Sequence, residues 1–74
     1  MASRSHLVLC LQNEGYEVSL ERRKIYEAIA DAAASREGLL RVIDESGDDY
    51  LYPEDYFVAI TLPPQVRRAV MAAA

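Results

Sequence analysis

Leu39-Leu40-Arg41-Val42-Ile43-Asp44-Glu45-Ser46-Gly47-Asp48-Asp49-Tyr50-Leu51-Tyr52-Pro53 is the stretch on which the fold turns. Leu39 to Ile43 is short and mostly apolar and ends in the β-branched Val42 and Ile43, which suits a strand. Glu45-Ser46-Gly47-Asp48 is a turn cluster in which Gly47 supplies a positive φ. Tyr50-Leu51-Tyr52 is the returning strand, so Leu39 to Tyr52 reads as a β-hairpin. Pro53 ends it, because proline has no N–H to donate to a ladder.

Working outward towards the C-terminus, Glu54-Asp55 makes a tight turn and Tyr56-Phe57-Val58-Ala59-Ile60 a last short strand. Pro63-Pro64 then punctuates the chain, and Pro64 suits the first position of a helix. The spacing predicts a short C-terminal helix over 64–71, with Val66 and Val70 on one side. Towards the N-terminus, Leu7-Val8-Leu9-Cys10-Leu11 is a strand that is apolar on both faces and ends at the turn cluster Gln12-Asn13-Glu14-Gly15. Alternation puts His6, Val8 and Cys10 on one face and Leu7, Leu9 and Leu11 on the other. The second face needs a cover, and the C-terminal helix is a candidate for it.

Ser19 to Glu37 has two readings. Leu20, Ile25, Ala28, Ile29 and Ala32 fall near one helical face, in a stretch rich in helix formers. Alternatively, Lys24 to Ile29 is a strand, Asp31 caps a short helix over 32–37, and Gly38 stops it. Periodicity does not choose between them.

The chain has 74 residues, 51% of them hydrophobic and 27% charged, which fits one small globular domain over 1–74. The formal net charge is −4. That opposes general affinity for nucleic acid, which needs Lys and Arg to neutralise phosphates, and for anionic membrane surfaces. Half of the 12 acidic residues (Asp44, Glu45, Asp48, Asp49, Glu54 and Asp55) crowd one stretch, and the charge leaves a basic partner open. With a single cysteine, Cys10, no internal disulfide can form. The apolar run from Leu7 is shorter than the roughly 7–15 residues of a secretory core. The expected compartment is the cytoplasm.

The segment from Gly47 to Val58 resembles the end of an SH3 domain, in which a glycine turn is followed by proline six residues later and tyrosine three after that. Gly47, Pro53 and Tyr56 keep this spacing. Arg41-Val42-Ile43-Asp44-Glu45-Ser46-Gly47 followed by Asp49-Tyr50-Leu51-Tyr52-Pro53 is similar to a family of small uncharacterised bacterial proteins. Cys10, Asn13, Gly15, Ser19-Leu20 and Lys24-Ile25-Tyr26 match that family's order, so the resemblance spans roughly residues 6–62. It implies a mainly β fold, a small SH3-like barrel, with nothing catalytic. It also favours the strand and short helix over the long helix for residues 24–37. SH3 peptide grooves use a tryptophan, and a tyrosine two residues before the proline. This chain has no tryptophan, and Leu51 holds the tyrosine position. Pro53, Tyr56 and Asp55 match groove-lining positions.

Enzymatic chemistry is not expected. His6 and Cys10 share a strand face but stand about 13 Å apart, whereas a nucleophile and its base need about 3 Å. No glycine-rich phosphate loop and no cofactor motif is present. Asp44 to Asp49 lacks the alternating ligands and closing glutamate of a calcium loop, so no metal site is assigned and weak divalent-cation binding there is an alternative only. Arg22-Arg23-Lys24 is the one basic cluster and reads as a solvated strand start. The five tyrosines are the best binding candidates: each either faces a partner or packs the wall. The expected function is a non-catalytic protein-binding module using Tyr50, Tyr52, Pro53, Asp55 and Tyr56. The alternative is a self-associating homodimer built on Leu7, Leu9 and Leu11.

Overall fold

The structure is a computed structural model and describes residues 5–73. Five antiparallel strands form one sheet: β1 (Ser5–Cys10), β2 (Ile25–Ile29), β3 (Leu39–Ile43), β4 (Asp49–Pro53) and β5 (Phe57–Ile60). Helix α1 (Ala32–Arg36) lies between β2 and β3, a 3₁₀ turn (Glu54–Tyr56) between β4 and β5, and α2 (Pro64–Ala73) follows β5. The strand order is β4-β3-β2-β1-β5. Consecutive strands β1 to β4 form a meander, and β5 returns to the free side of β1. The fold is therefore mainly β with two short helices. The sheet is open: among the described residues β4 and β5 are its two edges and do not pair with each other.

The pairing register sorts every side chain. Val8 faces Tyr26, Ala28 faces Val42, Leu40 faces Tyr52, and Cys10 faces Phe57. These residues line the inner side and, with Leu20, make the core. The opposite side carries Leu7, Leu9, Ile25, Ile43 and Ile60. Helix α2 approaches it with Val70 and Met71, beside Leu7 and Ile25. Leu7 is only 4% exposed, whereas Leu11 stays exposed. The apolar stripe expected of Leu7, Leu9 and Leu11 is thus interrupted at its first member. Helix α2 also runs two residues beyond the expected 71.

Residues 24–37 adopt the strand-and-short-helix arrangement. β2 is hydrogen-bonded to β1 on one side and β3 on the other, so ladder pairing overrides the local helix preference. Asp31 caps α1 by accepting from the Ala34 N–H at 3.0 Å. Its other oxygen accepts from Arg41 at 2.9 Å, and the same guanidinium reaches Asp49 at 2.9 Å. At the start of β2, Cys10 donates its N–H to the Lys24 carbonyl while its own carbonyl accepts from Arg23. Two residues thus oppose one, a β-bulge, and Arg23 takes the positive φ (67°) that such a site demands.

Gly47 closes the hairpin with φ +87°. A Cβ there would meet nothing within 4 Å, so a side chain costs only backbone strain. Gly47→Ala should lower stability by about 1 kcal/mol and Gly47→Asn by less, read as shifts in the urea midpoint.

Candidate functional site

Alternation places Tyr50 and Tyr52 on one face of β4, but the strand carries them to different depths. Tyr52 sits over the core, 3% exposed, while Tyr50 lies beyond it at 52%. The Tyr52 hydroxyl donates to Asp44 at 2.5 Å. The other Asp44 oxygen accepts from the Ser46 N–H at 2.8 Å and the Ser46 hydroxyl at 2.5 Å. Asp44 is itself buried. Burial raises its carboxyl, but the hydrogen bonds from Ser46 and Tyr52 outweigh that and hold it below the ordinary range. Tyr52 is a floor to the surface above it.

That surface is completed by Tyr16, a residue of the loop between β1 and β2. Its ring meets Tyr52 edge-on at 4.9 Å and Tyr56 at 6.1 Å, both in edge-to-face geometry. The Tyr56 hydroxyl donates to the Glu14 carbonyl at 3.1 Å, which ties the 3₁₀ turn to this loop. Tyr16, Ser19, Ser46 and Tyr50 surround an open depression of about 400 Å³ floored by Tyr52 and Asp44. Pro53 is half-buried at the end of β4, and Asp55 is exposed on the 3₁₀ turn. Desolvation, then the fields of Glu14, Tyr16, Asp55 and Glu17, push the Tyr56 phenol upward. Among the described residues none of Glu14, Glu17 and Asp55 has an ion-pair partner.

A second charged cluster lies elsewhere. Lys24 pairs with Glu45 at 2.6 Å and with Glu21 at 3.7 Å. Glu45 also accepts from the Tyr26 hydroxyl at 2.5 Å, and that hydroxyl accepts from the Glu21 N–H at 2.7 Å. This cluster fastens the β1–β2 loop to the hairpin turn. Burial and the bond to Glu45 push the Tyr26 phenol far above its ordinary value.

Of the five tyrosines, Tyr26 and Tyr52 build the core, whereas Tyr16, Tyr50 and Tyr56 reach the surface. Sequence reasoning left Tyr16 out of the binding surface. The turn signal at Asn13 to Gly15 located its loop, but loop residues carry no periodicity to say where they point. His6 is exposed and Cys10 fully buried, with its thiol donating to the Gln12 carbonyl at 3.1 Å. Burial pushes that thiol up, away from the reactive thiolate. Among the described residues no three His, Cys, Asp or Glu side chains converge as a metal site would require, and no helix is long and apolar enough to cross a membrane. Comparison with protein-family models, curated proteins and solved structures finds no match to this chain.

Proposed function

We propose that this chain is a non-catalytic, SH3-like protein-binding module that takes a basic segment of a partner on its tyrosine face. The observation that carries it is the edge-to-face pair Tyr16 and Tyr56, with Glu14 and Glu17 in the Tyr16 loop and Asp55 beside Tyr56 in the chain, none of which has a cation of its own among the described residues. Exposed tyrosine rings attract Lys or Arg side chains through their negative faces, and unpaired carboxylates add long-range attraction. Support for the SH3-like assignment is the meander order with β5 returned to β1 through a 3₁₀ turn. A buried cysteine outside any disulfide fits a reducing compartment such as the cytoplasm.

Titration of the ¹⁵N-labelled chain with a short Arg/Lys-rich peptide tests this. Shifts should concentrate at Gly15, Tyr16, Tyr50 and Tyr56, and weaken as salt is raised. The surface substitutions Glu14→Gln and Glu17→Gln together should weaken binding roughly threefold to tenfold without unfolding the chain. An equal response to an Asp/Glu-rich peptide of the same length, or shifts confined to the far side of the sheet, would rule the face out.

A further inference from the structure

The two edges of the sheet are protected very differently. β4 begins with the charged Asp49 and ends at Pro53, both of which discourage pairing with another strand. β5 carries no charge and no proline, and neither do Thr61 and Leu62 after it. Val58 is 44% exposed, and Ala59 and Thr61 are exposed too.

The free hydrogen-bonding groups on β5 follow from the ladder. Leu11 donates its N–H to the Tyr56 carbonyl, so that pair is hydrogen-bonded. Bonded and non-bonded pairs alternate in an antiparallel ladder. Val58 and Ile60 therefore turn their peptide groups towards Leu9 and Leu7 of β1. Phe57, Ala59 and Thr61 turn theirs outward. The Phe57 N–H is already donated to the Glu54 carbonyl at the end of the 3₁₀ turn. The outward set is the Phe57 carbonyl and both groups of Ala59 and of Thr61.

We infer that β5 pairs antiparallel with β5 of a second copy of this chain, about a two-fold axis at Ala59. Two Ala59 residues then exchange both of their hydrogen bonds, and each Thr61 N–H donates to the partner's Phe57 carbonyl. This register leaves out the Phe57 N–H, which is already used, and the Thr61 carbonyl opposite it. Val58 meets the partner's Ile60 in the close, non-bonded positions where β-branched side chains pack best. Leu9 and Leu7 extend each such pair into a row across the joined sheets. The same antiparallel register carries the exposed acids Glu54 and Asp55 of one copy towards the start of α2 in the other, where Arg68 is exposed. The two-fold axis repeats that placement of charge at both ends of the joined strands. A partner strand from another protein would gain the backbone bonds, but this pairing of side chains and end charges closes on itself, which is the signature of a two-fold interface. A contact of so few residues is smaller than the usual interface of about 1,600 Å², so the dimer is a weak one, with half-assembly on the order of 100 µM.

Sedimentation equilibrium of the full chain from about 10 µM to about 1 mM, at ionic strength near 0.15 M, should show the average mass rising from monomer towards dimer. Ala59→Pro removes the central donor while leaving every β1–β5 bond in place, because that N–H points away from β1. Val58→Lys puts a like charge beside the axis. Each should keep the chain monomeric up to about 1 mM, a tenfold or greater loss of association. Amide exchange on the unmodified chain supplies a readout that needs no variant: Ala59 and Thr61 protection should increase with protein concentration, while Val58 and Ile60 protection should not. A monomer at about 1 mM would overturn the inference. So would a dimer in which Ala59 and Thr61 exchange independently of concentration, or one that survives both substitutions in folded protein.

Discussion

Leu20→Ala should leave this chain largely unfolded at 37 °C. Leu20 is fully buried and lies in the irregular segment between β1 and β2, not in a helix or strand. It caps the inner face of the sheet among Val8, Tyr26, Val42 and Tyr52. Its carbonyl is held by the Asn13 side-chain amide at 3.1 Å, and its N–H by the Tyr16 carbonyl at 2.9 Å. The backbone is therefore pinned and cannot collapse to refill the space. Removing a buried leucine side chain costs about 2–5 kcal/mol, and a pinned site belongs at the upper end. A domain of this length has about 4–11 kcal/mol in total. Urea denaturation followed by circular dichroism reads the result directly. A loss under about 1 kcal/mol would mean that the loop does not seal the core. Because the same loop presents Tyr16, the substitution should also scatter the tyrosine face. Val18→Ala, in the same loop but almost wholly exposed, is the control and should be silent.

Asp44→Ala carries the second large effect. It strips the Tyr52 hydroxyl of its acceptor inside the core and opens the turn that Asp44 holds through Ser46. Leaving a buried donor unpaired and losing charge-assisted bonds costs about 2–4 kcal/mol together. Tyr52→Phe should cost only about 1 kcal/mol, because it removes the donor and leaves Asp44 satisfied by Ser46. The double variant should then be more stable than the sum of the two predicts, since the orphaned hydroxyl is gone. Strict additivity in a thermal melt would show that the Asp44–Tyr52 bond contributes nothing.

The same groups set the pH range of stability. Asp44 lies below its ordinary carboxyl range despite burial, through Ser46 and Tyr52. Glu45 is lowered by Lys24 and then Tyr26, and Asp31 by the Ala34 N–H and then Arg41. Carboxyls that ionise more readily when folded bind fewer protons in the folded state. Their contribution is complete above the unfolded value of about 4 and is lost as pH falls through the folded values. Tyr26 is raised by burial and by Glu45, and Tyr52 by burial and by Asp44. Here the unfolded chain loses protons first, so stability declines as pH rises past about 10. Cys10, also raised by burial, loses its proton first in the unfolded chain at about pH 8.5, so melting temperature against pH should show a plateau between about pH 5 and 8 with both flanks falling. In Asp44→Ala the acid flank should become shallower.

The hairpin was legible because it is local. Gly47 supplies the turn, alternating β-formers flank it, and Pro53 stops it, all within contiguous residues. Asp31 was legible as the cap of α1 only within the strand-and-short-helix reading of residues 24–37. The two readings of residues 24–37 could not be separated locally, because what makes β2 a strand is β1 and β3 on either side of it. The tyrosine face was half legible. Spacing put Tyr50 and Tyr52 on one side of β4, but only the position of the core beneath the sheet makes one of them exposed and the other a floor.

Composition and local pattern therefore determined a small acidic β domain, its central hairpin and the start of its last helix. Tertiary structure alone decided that Leu20 seals the core, that Tyr16 joins Tyr56, that Leu7 is buried while Leu11 stays exposed, and that the sheet stays open with β5 at an edge. The division has a physical cause. Turns, caps and alternation are short-range preferences of the backbone, whereas burial and strand neighbours are set by contacts between residues far apart in the chain.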